Sequence, residues 1–524
     1  MSKKILRLSR ISDYPIHYAN IAPESEAAVL GSQRLSYSEF SRLIDQCARA
    51  LLAAGVSHGD RIATLSNPHP HQLVIFMATS RIGAIWLGLN TRSRYDELAY
   101  VVADAKPKLI FSIREFEGRD FLEDIKLLNQ EHDCVTGLIL LDEVPVNELQ
   151  TFHQFLDTGN ECDGAVFDNA VKVVASRDSA LIVYTSGSTG KPKGALLSHQ
   201  NIIVSASTQC EYWYAKPLRI LNNMPINHLG GSVQLASYAI VAGGTNVLME
   251  RFVAKDILAL IASEKITVIH QTSTMYQMIF DSDTPEQHDL SSLSVVIWSG
   301  SACPIELIRR LREMCPNLFT SYGQTETGGE VLYVPAGASN EKLAGSVGVP
   351  PTHIKLRLVD DDGIDVTIDE VGEIQVKSDM VMLGYWQRPG ATREVFTEDG
   401  WLRTGDLAEK NAEGCYRIVG RLKEMYKSGG YNIYPREIET VLESHPSVSV
   451  VAVIGVSDPL YSEVGHAFII LNDKSMATEA ELNAFCREKL ANYKIPKKFI
   501  LCESLPLLPI GKIDKVALKH QATR

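Results

Sequence analysis

One stretch narrows what this chain can fold into more than any other: Tyr184-Thr185-Ser186-Gly187-Ser188-Thr189-Gly190-Lys191-Pro192-Lys193-Gly194. It follows the apolar run Ala180 to Val183, long enough for a buried strand. It leads into Ala195-Leu196-Leu197 and then Ser198-His199-Gln200-Asn201, which reads as a helix start capped by Ser198. A strand that stops in three glycines, four hydroxyls and two lysines predicts an anion-binding loop. Glycines let backbone N–H groups approach a phosphate closely, and successive N–H groups form a positive concavity. A surface turn rich in Gly, Ser and Thr is the plainer reading. The two lysines and the preceding strand fit it poorly. The phosphate loop of NTPases requires G-x-x-x-x-G-K-[ST], and the pattern fails at Pro192, which sets aside a P-loop motor or kinase.

At 524 residues the chain is too long for one core, so two or more domains are expected. Charged residues make up 22%, and the formal net charge is -12. That balance argues against nucleic acid as a partner, because phosphate binding needs a basic face. An anionic substrate must instead meet locally placed Lys and Arg. The nine cysteines are scattered without a C-x-x-C pair, which reads as reduced thiols in a cytoplasmic protein. The start, Met1 to Arg7, has no signal-peptide core, and no uncharged apolar run approaches the roughly 18 residues of a transmembrane helix.

The first 175 residues alternate helix-like and strand-like segments. Tyr37 to Ala53 places Phe40, Leu43, Ile44, Cys47, Leu51 and Leu52 on one helical face. Gly59 to Leu65 reads as a turn into a strand, His71 to Ile82 as a helix, and Lys108 to Phe111 as a strand. The alternation predicts an α/β architecture with a largely parallel sheet.

Further segments recur beyond the loop. Met224-Pro225-Ile226-Asn227-His228-Leu229-Gly230-Gly231 holds a lone histidine, which alone reads as structural. Val268-Ile269-His270-Gln271 holds another, read as a satisfied buried one. The strand Val295 to Trp298 ends in Ser299-Gly300-Ser301-Ala302, with a helix starting near Pro304. Then come Ser321-Tyr322-Gly323-Gln324-Thr325-Glu326, Trp401-Leu402-Arg403-Thr404-Gly405-Asp406 and Gly420-Arg421-Leu422-Lys423-Glu424. The last hundred residues, near the common domain size, open with the loop Lys427-Ser428-Gly429-Gly430. They contain a capping box at Thr478-Glu479-Ala480-Glu481, opening a helix with Leu482, Phe485 and Leu490 inward. They close on Leu505-Pro506-Leu507-Leu508-Pro509-Ile510-Gly511-Lys512-Ile513.

Together these segments resemble the adenylate-forming superfamily: acyl-CoA synthetases, amino-acid adenylation domains and beetle luciferases. The glycine-rich stretch meets [ST]-S-G-[ST]-[ST]-G-x-P-K-G in full, and Tyr322 to Glu326 matches Y-G-x-T-E. The resemblance extends to the last few residues. It implies a large N-terminal domain, residues 1–420, with mixed and parallel sheets, and a mobile α+β domain, residues 421–524, joined by a hinge at Lys423. It implies ATP, Mg²⁺ and coenzyme A as cofactors.

The site residues follow by resemblance. Thr185, Ser186, Gly187, Ser188, Thr189, Gly190, Lys191 and Lys193 would hold the β- and γ-phosphates. Ser301 belongs to a turn walling the adenine and acyl sites. Tyr322 with Gly323 would pack on adenine, Thr325 would contact the α-phosphate, and Glu326 would ligate Mg²⁺. Asp406 would accept from the ribose hydroxyls, and Arg421 would contact the ribose. His228 would sit beside the substrate carboxylate. Lys512 would bridge that carboxylate and the α-phosphate, and the Gly429-Gly430 loop would replace it in the second half-reaction. The implied activity is an ATP-dependent acid–thiol ligase forming acyl-AMP and then acyl-CoA. Pocket-lining stretches show no charge apart from His228 and His270, which favours a fatty or other apolar acid. A separate carrier protein as acceptor, a luciferase-like oxygenase and a catalytically inactive nucleotide-binding homologue are the alternatives. The partners are small molecules, with no nucleic acid and no membrane span; a homo-oligomer is compatible with all of this. The segment Val268 to Met275 departs from the family by lacking its usual prolines, which leaves the acid open.

Overall fold

The computed structural model describes residues 6–142, 146, 149–185, 191–472, 475, 477–506 and 513–522. Two eight-stranded sheets carry most of the chain. The first runs, edge to edge, Gly329–Tyr333, Leu318–Gln324, Val295–Ser299, Val268–Gln271, Arg219–Asn222, Thr245–Leu248, Glu26–Leu30 and Gln33–Ser36. Its interior strands are parallel and its two edge strands antiparallel. The second runs Gly384–Tyr385, Lys193–Ser198, Ser179–Thr185, Ile85–Leu89, Arg61–Leu65, Leu109–Ser112, Gly137–Leu140 and Gln150–Thr151. It is parallel from Ser179–Thr185 onward. Strands covered on both faces need unbroken apolar runs. Ala180 to Val183 and Val295 to Trp298 are such runs, and every residue in them is buried.

Helices cover these sheets. Tyr37–Ala53 starts at a capping box in which Glu39 N donates to Ser36 Oγ and Ser36 N donates to Glu39 Oε2. Of the expected inward face, Phe40, Ile44, Cys47 and Leu51 are buried, and Leu43 and Leu52 pack partly buried at its margin. Pro70–Arg81 is the helix expected from His71.

A third, antiparallel sheet follows: Lys355–Val359, Val371–Lys377, Leu402–Lys410 and Tyr416–Arg421. A fourth holds Tyr431–Ile433, Tyr426–Ser428, Ser462–Leu471 and Val448–Asp458, with Lys498–Leu501 parallel on Ser462–Leu471. Among the described residues, the apolar clusters divide in the same place. Four of them lie entirely at or before Ile418, and two entirely at or after Tyr426. In the helix Glu479–Lys489, Leu482 is buried as expected, and Leu490 just beyond it as well. Phe485 differs: it lies partly exposed against His445 and Lys489, and Cys486 points inward instead. Leu482 and Cys486, four positions apart, share one helical face, and Phe485 stands at its margin.

Candidate active site

The glycine-rich stretch closes a hairpin. Thr185 pairs with Lys193 across the two antiparallel strands, so both ends of the loop are fixed. Ser186, Gly187, Ser188, Thr189 and Gly190 lie outside the described residues. The flanks are fastened from outside: Tyr100 donates from its hydroxyl to the Pro192 carbonyl at 2.9 Å. Tyr184 donates to Asp104 at 2.8 Å, and Arg388 pairs with the same carboxylate. Lys191 and Lys193 place their ammonium groups 5.9 and 5.3 Å from the rings of Tyr100 and Tyr385.

Glu326 comes to the end of that strand. Its Oε1 accepts from Thr185 Oγ1 at 3.3 Å and from the Tyr385 hydroxyl at 2.9 Å. Burial first, and then the Glu326 charge, push the Tyr385 phenol well above its ordinary pKa, so it remains a donor. The backbone builds this meeting. Met382 N donates to the Glu326 carbonyl, Leu383 N to Leu196, and Trp386 N to Gly194, stitching 382–386 between the two sheets. The turn after Glu326 needs glycine: Gly328 has φ +73°, and a Cβ there would lie 1.9 Å from the Met380 carbonyl. Thr325 is nearly buried, and its carbonyl accepts from Gly328 N.

A second cluster forms around Asp406, which is 3% exposed. Its Oδ2 accepts from the Tyr322 hydroxyl at 2.6 Å, and its Oδ1 pairs with Arg421 Nε at 2.8 Å. Asp406 and Arg421 face each other in register on neighbouring strands. Burial, and then Asp406, hold the Tyr322 phenol far above its usual range; Asp406 above all raises Arg421. Each carboxylate oxygen has two lone pairs, so Asp406 keeps capacity to accept further donors.

His228 stands at a tight corner. Its Nδ1 accepts from Gly230 N at 3.0 Å, which puts the proton of the neutral ring on Nε2. Its carbonyl accepts from Ser232 N and Oγ. Wide π-type turns follow over Gly230–Ser237, a geometry that clusters at functional sites. A side chain at Gly231 would strike the Pro225 carbonyl, so the corner requires glycine there too. Ser301 bonds Ser273 at 2.8 Å. His270 is buried, bonded through Nε2 to Ser299, and burial lowers its pKa to about 4, as a structural histidine should be.

The remaining expected residues lie around the segment 421–433. Lys423 is exposed between two turns: Leu422 N donates to Gly405, and Glu424 N and Met425 N donate to Arg421. Gly429 and Gly430, with φ +57° and +88°, make the hairpin between Tyr426–Ser428 and Tyr431–Ile433, and Gly429 N donates to Tyr461. Lys512 lies outside the described residues. The structure therefore joins Thr185 to Glu326, and Tyr322 to Asp406 and Arg421. Tyr385 had no motif to announce it; Gln234 and Glu330 are further polar residues that sequence patterns passed over. A separate open cavity of about 710 Å³, lined among others by Asn67, His69, His71 and Arg251, includes none of these groups. Among the described residues, no cluster of three metal-ligating side chains is present.

Comparison with known proteins agrees with this geometry. The AMP-binding enzyme family model matches residues 17–386, and the AMP-binding enzyme C-terminal domain matches 437–512. A feruloyl-CoA synthase from Amycolatopsis sp is 35% identical over 98% of this chain and 100% of its own length. An indoleacetate–CoA ligase from Aromatoleum aromaticum is 32% identical, covering 98% of each chain. The crystal structure of ATP-bound MatB from Rhodopseudomonas palustris superposes with TM-score 0.85 at 26% identity, over 98% of this chain and 99% of that one. The anthranilate CoA ligase AuaEII, in complex with anthranoyl-AMP, superposes with TM-score 0.86 at 25% identity, over 99% and 98%. The chain belongs to the AMP-binding enzyme family, as an adenylate-forming acid–CoA ligase.

Proposed function

We propose that this chain activates a carboxylic acid with an apolar, aromatic body, using ATP, and transfers the acyl group to coenzyme A. The observation that carries the reading is the convergence of Thr185, Tyr385 and Glu326 where the glycine-rich loop leaves its strand. Phosphate-binding backbone and a metal-ligating carboxylate belong together at such a place. Mg²⁺ is commonly held by one or two carboxylates beside phosphate oxygens, and Glu326 would supply one. Bound there, the ion would neutralise charge on the phosphates.

In the first half-reaction a carboxylate oxygen attacks the α-phosphorus, the bond to the leaving oxygen breaks, and pyrophosphate departs. Positioning and charge neutralisation account for most of such catalysis. Residues 185–194 hold the β- and γ-phosphates. Tyr322 packs on adenine beside Gly323 and the Ser301 turn, Thr325 meets the α-phosphate, and Asp406 with Arg421 takes the ribose. His228, a donor through Nε2, orients the acid, and Lys512 bridges acid and α-phosphate. In the second half-reaction the thiol attacks the acyl carbon and AMP leaves. A rotation at Lys423 exchanges Lys512 for the Gly429-Gly430 turn. The domain boundary is placed after Gly420, at the gap between the apolar clusters. The relatives named for feruloyl, indoleacetate and anthranilate support an aromatic acid. Cytoplasmic placement is supported by nine free cysteines. Release of AMP, measured with aromatic, fatty and short-chain acids plus coenzyme A, tests the reading. No release with any acid would sink it.

A further inference from the structure

The end of one helix, Tyr95–Ala105, touches both sides of the proposed triphosphate site. Tyr100 and Asp104, four positions apart, share a face of that helix. Tyr100 donates to the Pro192 carbonyl, on the far flank of the glycine-rich loop. Asp104 divides its carboxylate between two elements. Its Oδ2 accepts from the Tyr184 hydroxyl, on the near flank of the loop, and its Oδ1 pairs with Arg388. The Asp104 carbonyl accepts from Trp386 Nε1 at 3.2 Å. The residue before Trp386 is Tyr385, whose hydroxyl donates to Glu326. One helix end therefore grips both flanks of the loop and the segment that holds the Glu326 carboxylate.

This arrangement runs against local preference. A carboxylate in the last turn of a helix faces the negative end of the helix dipole. Arg61 compensates the helix end: it donates to the carbonyls of Ala105 and Lys106 at 2.7 and 2.9 Å and lies over the Trp386 ring. Arg388 compensates Asp104 itself, whose side chain is only 9% exposed. To bring Arg388 there the chain turns at Gln387 with φ +48°. A non-glycine residue keeps that left-handed conformation only where surrounding contacts hold it. Burial, and then Asp104, keep the Tyr184 phenol far above its ordinary pKa, so it stays a donor. Apolar side chains of similar volume often stabilise such a place as well as a charge pair does. Hydrogen bonds and a charge pair of fixed direction set distances between the elements they join.

We infer that Asp104 is a positioning residue for the triphosphate: through Tyr184 and Arg388 it fixes the flanks of the glycine-rich loop relative to Glu326. The inference rests on the ligase reading above and adds to it a residue that touches no reactant. The first half-reaction handles the β- and γ-phosphates and depends on Asp104. The second starts from an acyl-adenylate that lacks those phosphates and does not. The test runs the full chain in two assays with one acid that the wild type accepts. One is ATP–pyrophosphate exchange, titrated with ATP and with Mg²⁺. The other is thioester formation from the synthetic acyl-adenylate of that acid and coenzyme A. Asp104→Asn keeps the size and an acceptor for Tyr184 but removes the charge facing Arg388. It should lower kcat/KM for ATP by roughly 10–100-fold, the usual cost of losing a partner behind a ligand. The half-saturating Mg²⁺ should rise with it, while the acid KM and thioester formation stay at the wild-type level. Arg388→Gln, at an exposed position, should give a smaller loss of the same kind, and it keeps the test decisive should Asp104→Asn fail to fold. The two changes together should cost little more than Asp104→Asn alone, because they break one unit. Equal losses in the two assays overturn the inference, as do ATP and Mg²⁺ titrations that match the wild type. Absence of exchange by the wild type with every acid overturns the ligase reading and this inference with it.

Discussion

Tyr385→Phe removes one oxygen from the site and leaves the ring. In the native protein that oxygen donates to Glu326 Oε1 at 2.9 Å, and Thr185 donates to the same atom at the longer distance of 3.3 Å. A hydrogen bond to a charged group contributes about 1.5–3 kcal/mol. Spent on holding the carboxylate for the first half-reaction, it corresponds to roughly 10–150-fold in rate. The ring that Lys193 faces at 5.3 Å stays, so the loop flank keeps its neighbour. The phenol is held well above its ordinary pKa by burial and then by Glu326, so it stays protonated across ordinary assay conditions. The difference between wild type and variant should accordingly be constant from about pH 6 to about pH 9, below the ordinary tyrosine value. The assay is ATP–pyrophosphate exchange titrated with Mg²⁺. We expect a lower kcat/KM for ATP and a higher half-saturating Mg²⁺. In a Glu326→Gln background the added Tyr385→Phe change should cost little, because the two act as one unit. Wild-type turnover at every Mg²⁺ concentration, or full multiplication of the two single losses, would refute the assignment of Glu326 and Tyr385 as a pair.

Lys512→Ala should cut adenylation by roughly 10²–10³-fold, the usual cost of one preorganised donor, yet spare thioester formation from synthetic acyl-adenylate and coenzyme A. Equal failure in both assays counts against the two-conformation mechanism. Lys423→Pro fixes φ and removes an N–H at the proposed hinge, so adenylate should form while thioester slows; parallel loss of both steps points to misfolding. Lys515→Met strips the ammonium that pairs with Glu424 at 2.6 Å and the 5%-exposed Glu439 at 2.8 Å, and should destabilise the last hundred residues by about 3–5 kcal/mol. Burial opposes the Lys515 charge, but Glu439 and Glu424 outweigh it and raise its pKa above the ordinary 10.5. A raised pKa gives stability that is complete below the unfolded value and lost as pH rises through the folded one. Thermal melts should therefore separate wild type from variant fully at pH 7 and less at pH 11; a constant gap would show that the ion pairs are not responsible.

Local chemistry was legible because it is written in neighbouring residues. The cap at Ser36, the cap at Ser198 and the strand Ser179–Thr185 each follow from a few adjacent side chains. His270 could be read as structural because a lone histidine in an apolar strand has that fate by default. Phe485 and Cys486 could not be told apart, since both are apolar and one rotation of the helix exchanges them. Tyr385 was invisible because its strand is two residues long and exists only where it pairs with Ala195 and Leu196. Glu330 and Gln234 stand 96 positions apart, so only the closed fold makes them partners. The π-type turns that expose Gln234 depend on the glycine corner and carry no periodic signature.

The two proposed halves of the reaction meet at Arg421. Its side chain pairs with Asp406 in the proposed nucleotide site, while its carbonyl accepts from Glu424 and Met425, the first residues past Lys423. Glu424 in turn is tied to Lys515, in the final helix Lys515–Ala522. Among the described residues, no apolar cluster includes residues 419–425. A rotation at Lys423 would break two backbone bonds to Arg421 and leave the Arg421–Asp406 pair intact. In the proposed mechanism the cluster around Asp406 on one side and the last sheet on the other then change their relation without either losing its own core. That division is compatible with the proposed exchange of Lys512 for the Gly429-Gly430 turn, in which Asp406 and Arg421 keep their pairing through both steps.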